Sequence, residues 1–259
     1  MTRTILVHHH IFKNAGTSLQ YALKKYFGEK YSECELPAHQ MVTKDDLEKF
    51  ILNNPQSLAI SGHHICMPTP QGEEYKTLSI VLLRNPLARV ESIYKFERKQ
   101  EAKTEGAIKA KELDFKEYVR WRLAQTPTML CNYQTYYCAR QNKAEGRKIA
   151  TDQDLKIAIQ NLRSSAVVGT VERYQETLEL ANKKLSQNFP GINLEYSYLN
   201  ASNREQIKQD NQIKEKLEAD LGLEIVHQLE QGNTLDIMLW NIADKIIVEN
   251  IDKHLINTK

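Results

Sequence analysis

"TILVHHHIFKNAGTSLQYALKKYF", residues 4–27, decides how the chain is read. An apolar run rich in β-formers enters a short turn, and an amphipathic helix leaves it. The turn carries a lysine, one glycine and two hydroxyl residues: Lys13, Gly16, Thr17 and Ser18. Backbone N–H groups at a helix start lack intrahelical acceptors, and the helix dipole adds partial positive charge there. Strand, loop and helix in that order make an anion cradle around Gly16, Thr17 and Ser18. Lys13 adds a charge from the strand end, and Gly16, with no Cβ, lets the backbone approach an anion. The pattern departs from the triphosphate loop GxxxxGK[ST], because the first glycine is missing and the lysine precedes the turn. An ordinary helix N-terminus is the competing reading.

Three further stretches extend the pattern. "SLAISGHH" (57–64) is a short strand ending in Gly62, His63 and His64. "TLSIVLLRNP" (77–86) is a continuous buried strand stopped by Arg84, Asn85 and Pro86, and Pro86 suits the first turn of the helix that follows. "SSAVVGTVERYQETLELANKKL" (164–185) reads as a strand over Ala166–Gly169 and a helix from near Glu172. Strands alternating with helices predict a parallel sheet covered on both faces, with ligands beyond the carboxyl ends of its strands. Lys13 to Ser18, His63/His64 and Arg84 all fall at such ends. Arg84 and Ser92, eight residues apart with Arg89 between them, suit a clamp for a second phosphate. A structural ion pair for Arg84 and helical filler for Ser92 are the alternatives. No acid follows "SIVLLR" where an ATPase would hold Mg²⁺, so the site reads as one for an anion without a metal. In "HHH", His8 and His10 share one strand face and His9 takes the other, which predicts buried, hydrogen-bonded histidines and no metal cluster.

Composition narrows the classes. The chain has 259 residues, 41% hydrophobic and 26% charged, and residues 1–259 read as one domain. A net charge of +2 gives no global field for nucleic acid, so any anion site is local. The first apolar run is too short for a signal peptide or membrane span, and four cysteines without a CxxC pair fit a reducing, cytoplasmic setting. "EAKTEGAIKAKE" (101–112) reads as a charged, solvated surface segment, "FKEYVRWRLA" (115–124) and "TMLCNYQTYYCAR" (128–140) as helical, and the part after Arg204 as mostly helix. Cys131 and Cys138 could share one helix face, which reads as core packing before chemistry.

"HIFKNAGTS" (10–18) resembles the 5′-phosphosulfate loop of sulfotransferases that use 3′-phosphoadenosine 5′-phosphosulfate (PAPS), and "RNPLARVESIY" (84–94) is similar to that superfamily's 3′-phosphate motif. "SGHH", "NYQTYY" (132–137), "VVGTVERYQETLELANKKL" (167–185), "LNASNR" (199–204) and "LDIMLWNIADKI" (235–246) resemble the carbohydrate branch, which includes the heparan sulfate 2-O- and 6-O-sulfotransferases. Phe12 stands where that family has proline, and Trp240 where tyrosine is common, a difference expected to matter for packing alone.

The resemblance implies a P-loop-type three-layer α/β fold, a mostly parallel sheet flanked by helices with a helical C-terminal third. It implies sulfuryl transfer from PAPS to a hydroxyl, leaving adenosine 3′,5′-bisphosphate. Lys13 would meet the bridging oxygen and the transferring sulfonate. Asn14, Ala15, Gly16, Thr17 and Ser18 would line the 5′-phosphate, and Arg84 and Ser92 the 3′-phosphate. "VERY" (171–174), Asn203 and Arg204 would lie near the nucleoside, although "NASNR" reads equally as a helix cap. His63, in the "GH" position, would be the base, with His64 the alternative. Gln134 and Thr135 face either the cleft or helix packing. The acceptor would be a carbohydrate or other hydroxylated molecule; the lysines and arginines between Lys95 and Arg122 either attract an acidic glycan or, the preferred reading, merely solvate a helix. A kinase-like phosphotransferase and a non-catalytic nucleotide-binding module are the competing classes.

Overall fold

A computed structural model describes residues 2–37, 40–140, 148–195 and 210–256. Strand β1 (Arg3–His9) leads through the loop into α1 (Gly16–Phe27), then β2 (Tyr31–Glu33), α2 (Lys44–Asn53) and β3 (Ala59–Gly62). Strand β4 (Tyr75–Leu83) precedes α3 (Pro86–Lys99), α4 (Glu105–Glu112), α5 (Phe115–Gln125), α6 (Tyr133–Ala139) and α7 (Asp152–Ser164). Strand β5 (Val167–Thr170), α8 (Tyr174–Leu185), α9 (Asp210–Leu221), α10 (Leu223–Gly232) and α11 (Thr234–Ile256) complete the order.

The five strands form one parallel sheet in the order β2-β3-β1-β4-β5. Both faces are apolar because both are covered, as parallel crossovers require. Leu6, Ile80, Leu82 and Val167 meet α1 (Leu19, Leu23) and α8 (Leu178, Ala181) on one side. On the other, Ile5, Val7 and Ile60 meet α2 through Leu47 and Ile51, while Val81, Leu83 and Val168 meet α6, α7 and α11. Each such buried side chain contributes about 1.5–3 kcal/mol relative to exposure. The result is the three-layer α/β fold expected from the strand–helix alternation.

Register sets the functional edge. His9 is level with Gly62 on β3 and Val81 on β4, and Leu83 is level with Thr170 on β5. The loops after all five strands therefore leave from one end of the sheet. Since β1 is central, the chain moves to one side of it for β2 and β3 and to the other for β4 and β5, the reversal at which open α/β sheets form their crevice.

Local signals fix several helix starts. Thr43 with Asp46, Asp114 with Glu117, and Thr151 with Asp154 are reciprocal capping boxes. Asn85 caps α3 through the N–H groups of Leu87 and Ala88, directly before Pro86.

The structure corrects two expectations. Residues 105–112 form helix α4, and only its outer face is solvated. Its inner face, Gly106, Ala107 and Ala110, is buried. It closes over a buried ion pair between Glu97 and Arg122, in which Arg122 Nη2 lies 2.6 Å from Glu97 Oε1. A Cβ on Gly106 would fall 1.8 Å from Arg122 Nη2, so only glycine lets the helix approach. Cys131 precedes α6 and shares no helix face with Cys138, although Cys138 is buried in the core as expected. Strand β2 and helices α2 and α7 are additions to the elements expected from sequence.

Candidate active site

The turn after β1 is held by arginines. Arg89, almost fully buried on α3, donates Nε–H to the Phe12 carbonyl (3.2 Å) and Nη1–H to the Met129 carbonyl (3.0 Å), and its guanidinium stacks 4.0 Å from the Tyr133 ring centroid. Arg84 donates Nη1–H to the Lys13 carbonyl (3.2 Å). Lys13 and Ala15 adopt left-handed backbone angles (φ 67° and 56°), which cost non-glycine residues about 1–3 kcal/mol each. This bending leaves the N–H groups of Ala15, Gly16 and Thr17 without an acceptor among the described residues, and no side chain caps α1. The Ser18 N–H turns back to the Ala15 carbonyl (3.1 Å). Ser18 is half-buried and Thr17 exposed, so their hydroxyls border the open amides.

Asn14 has a different role from its neighbours. Its N–H bonds the Ile11 carbonyl (3.1 Å), and its buried amide donates to the Leu82 carbonyl (2.9 Å) and Gln134 Oε1 (2.7 Å). Both donors face inward, which makes Asn14 a strut of the loop. Gln134 is the hub it joins: Oε1 also accepts from the Arg84 N–H (2.9 Å), and Nε2 donates to the Arg84 carbonyl (2.8 Å). Asp236 on α11 holds the start of α6 by accepting from the N–H groups of Gln134 (3.0 Å) and Thr135 (2.7 Å). Gln134 and Thr135 thus belong to helix packing, and Gln134 ties the Lys13 turn to the Arg84 turn.

Cations converge between these turns. Lys13 Nζ lies 4.4 Å from the Phe96 ring centroid. Burial first, then the charges of Arg84, Lys99 and Arg89, push its ammonium down to about 8. Arg84 Nε is buried without a hydrogen-bond partner. Ser92 is half-buried on α3, two turns beyond Arg84. A partnerless buried guanidinium nitrogen, a lysine depressed by burial and then by neighbouring cations, and a row of open amides together fit an anionic ligand. The "VERY" segment lines a cavity of about 310 Å³ through Glu172, Arg173 and Tyr174, shared with Gln175, Glu176 and Glu179 of α8; Arg84 is not among its lining residues. Glu172 accepts from the Asn85 N–H (3.0 Å) and from Trp240 Nε1–H (3.0 Å). Trp240 consequently does more than pack: its indole N–H steadies the carboxylate that supports the Arg84 turn. Asn203 and Arg204 lie outside the described residues.

The histidines form the other half of the site. His8 and His9 are buried and hydrogen-bonded as expected, His8 Nδ1 to Ser61 Oγ (2.9 Å) and His9 to the Ile65 carbonyl (3.3 Å) and Ser79 Oγ (3.2 Å). His10 departs from that expectation, because its buried Nδ1 has no partner. Its ring instead stacks between His8 (centroids 5.4 Å apart) and His63 (3.9 Å, planes 26° apart). Burial, reinforced by His63, pushes the His10 imidazole down to about 3, so the ring is neutral. It fills the space beside Gly16, where an added Cβ would fall 1.9 Å from His10 Cδ2. The missing Cβ of Gly16 therefore admits the His10 ring, which explains the glycine without an anion.

His63 is partly exposed at the end of β3. Its Nδ1 and its backbone N–H both lie 2.8 Å from Glu35 Oε1. Burial raises the Glu35 carboxyl, but the hydrogen bonds and charge of His63 outweigh this and hold it below the usual carboxylate range. The His10 ring stacks on His63 and fills the space beside Gly16, so one buried ring lies between the base candidate and the cationic cradle. Glu35 and His10 escaped the sequence reading as site residues. The structure brings Glu35 in through β2: pairing of Glu33 with Ser61 carries Glu35 level with His63.

The family model described as the sulfotransferase family matches residues 2–242. An uncharacterized protein from Archaeoglobus fulgidus is 28% identical over 251 residues, covering 93% of this chain and 96% of the relative.

Proposed function

Because the chain belongs to the sulfotransferase family, whose reaction is sulfuryl transfer, we propose that it moves a sulfuryl group from PAPS to a hydroxyl of a carbohydrate or other hydroxylated acceptor. The heparan sulfate-like carbohydrate branch is proposed on the ordered motifs from "SGHH" to "LDIMLWNIADKI". One observation carries the donor assignment: Arg84 Nε is buried and partnerless beside a turn whose amides are open and whose lysine is depressed first by burial and then by neighbouring cations.

The donor supplies an activated sulfuryl group on a phosphate leaving group. The N–H groups of Ala15, Gly16 and Thr17, with the hydroxyls of Thr17 and Ser18, would hold its 5′-phosphate, and Arg84 and Ser92 its 3′-phosphate. Lys13 would neutralise charge developing on the bridging oxygen as the S–O bond breaks. His63 would take the acceptor hydroxyl proton as the new O–S bond forms. Asn14 and Gln134 hold the two phosphate turns in fixed relation, which supplies the orientation that in-line transfer needs.

Parallel calorimetric titrations with adenosine 3′,5′-bisphosphate and with ATP, each with EDTA or with Mg²⁺, test this function. Binding of the bisphosphate that persists in EDTA is expected. Mg²⁺-dependent ATP binding with no affinity for the bisphosphate would overturn it.

A further inference from the structure

A histidine that accepts a proton through Nε2 must carry its own proton on Nδ1, and an unconstrained imidazole has no reason to stay in that tautomer. Glu35 supplies the reason. Its Oε1 is met by two donors from one residue, the His63 backbone N–H and ring Nδ1, each at 2.8 Å. A carboxylate accepts and cannot donate, so Nδ1 must be the protonated nitrogen and Nε2 carries the lone pair. The backbone bond fixes Glu35 to the strand end while the ring bond fixes the imidazole to Glu35. The flat face of His10, 3.9 Å away, blocks rotation of the ring to one side.

Resting on the PAPS-dependent reading above, we propose that Glu35 is a positioning residue for sulfuryl transfer: it locks His63 in the Nδ1–H tautomer, against the His10 ring, so that Nε2 receives the acceptor proton. The bookkeeping closes within the site. The acceptor oxygen forms a bond to sulfur, the bond from sulfur to the bridging phosphate oxygen breaks, and the bisphosphate departs with that electron pair. The hydroxyl proton moves to His63 Nε2. The Nδ1 proton stays in place, and Glu35 balances the imidazolium that results, as the carboxylate does in other carboxylate–histidine pairs.

Long-range ¹H–¹⁵N correlation spectra of the labelled full chain, at alkaline pH on the neutral ring and assigned with a His63→Gln variant, read the tautomer directly. The wild type is expected to carry the proton on Nδ1. Glu35→Ala is expected to move it to Nε2, and Glu35→Asp to restore the Nδ1 form at least in part. A purely structural glutamate would change thermal stability in both variants without inverting the tautomer. A wild-type Nε2–H tautomer, or populations unchanged in Glu35→Ala, overturns the assignment, and the wild-type spectrum decides even if the alanine variant does not fold. Calorimetry with adenosine 3′,5′-bisphosphate separates the two layers. Wild-type binding retained in Glu35→Ala, together with the tautomer shift, supports the proposal. Absence of wild-type binding overturns the donor reading and the catalytic purpose of Glu35 with it, while a tautomer failure beside intact binding overturns the Glu35 assignment alone.

Discussion

Lys13 offers the sharpest quantitative test, because its charge is held at a disadvantage until an anion arrives. Burial and the cations Arg84, Lys99 and Arg89 bring its ammonium from 10.5 down to about 8. With that value, roughly nine-tenths of the free protein carries the charge at pH 7 and roughly one-tenth at pH 9. If only charged Lys13 grips the 5′ end of the ligand, affinity for adenosine 3′,5′-bisphosphate falls about tenfold between those pH values, or ~1.4 kcal/mol. The fall continues above pH 9 and levels off where the neutral site retains its other contacts. A charge-assisted hydrogen bond contributes about 1.5–3 kcal/mol, which bounds the total loss at roughly 10- to 150-fold. Calorimetry at constant ionic strength measures this without interference from screening. Lys13→Arg is the internal control, since a guanidinium keeps its charge throughout and should flatten the profile. Equal wild-type affinity at pH 7 and pH 9, or the same fall in Lys13→Arg, would refute the reasoning.

Three other perturbations probe the same region. Gly16→Ala gains helix propensity of about 1 kcal/mol but drives a methyl into the His10 ring, so a net loss of about 1–3 kcal/mol is expected in denaturant melts. Combining it with His10→Ala should recover part of that loss, with a coupling of about 0.5–3 kcal/mol, and strict additivity would show that the contact is not the cause. Gln134→Met leaves one Asn14 amide hydrogen and the N–H and C=O of Arg84 without partners, at about 1–3 kcal/mol for each group left unsatisfied. Lower thermal stability and weaker bisphosphate binding are expected together, and loss of only one would separate the hub from the site. Lys13→Met should stabilise the ligand-free protein at pH 7 by about 1–3 kcal/mol, after allowance for partial solvation. The unfolded lysine keeps its proton to 10.5 and the folded one to about 8, so wild-type stability rises with pH between them and the variant's advantage should vanish by the upper value.

The sheet was legible because its strands are buried on both faces and read as uninterrupted apolar runs. β1, β3, β4 and β5 all overlap the quoted stretches, with the first residues of β1 and β4 lying just before them. β2 was not, since three residues, Tyr31–Glu33, carry neither length nor alternation enough to stand out from a loop. That short strand brings in Glu35, so the omission of one weak element hid the partner of the strongest base candidate. Helix α4 failed for a related reason. Its buried face is made of Gly106, Ala107 and Ala110, small residues whose burial depends on the ion pair beneath them and leaves little hydrophobic pattern in the sequence.

Gly16 shows where reading a site from residue types reaches its physical limit. A glycine in a strand–loop–helix turn declares that something lies close to the backbone, without saying what. A phosphate and an imidazole would select for it equally, and the structure places His10 there. The open amides survive this reassignment, because they arise from the left-handed turns at Lys13 and Ala15, and neither residue type announces such a turn. One small residue thereby serves both halves of the site. By admitting His10 it seats the ring against which His63 rests, and as the first residue of α1 it presents an unpaired N–H to the cradle. A bulkier residue at position 16 would therefore disturb the proposed proton acceptor as well as the proposed anion site. The two proposed roles would fail together although the substitution touches neither Lys13 nor His63.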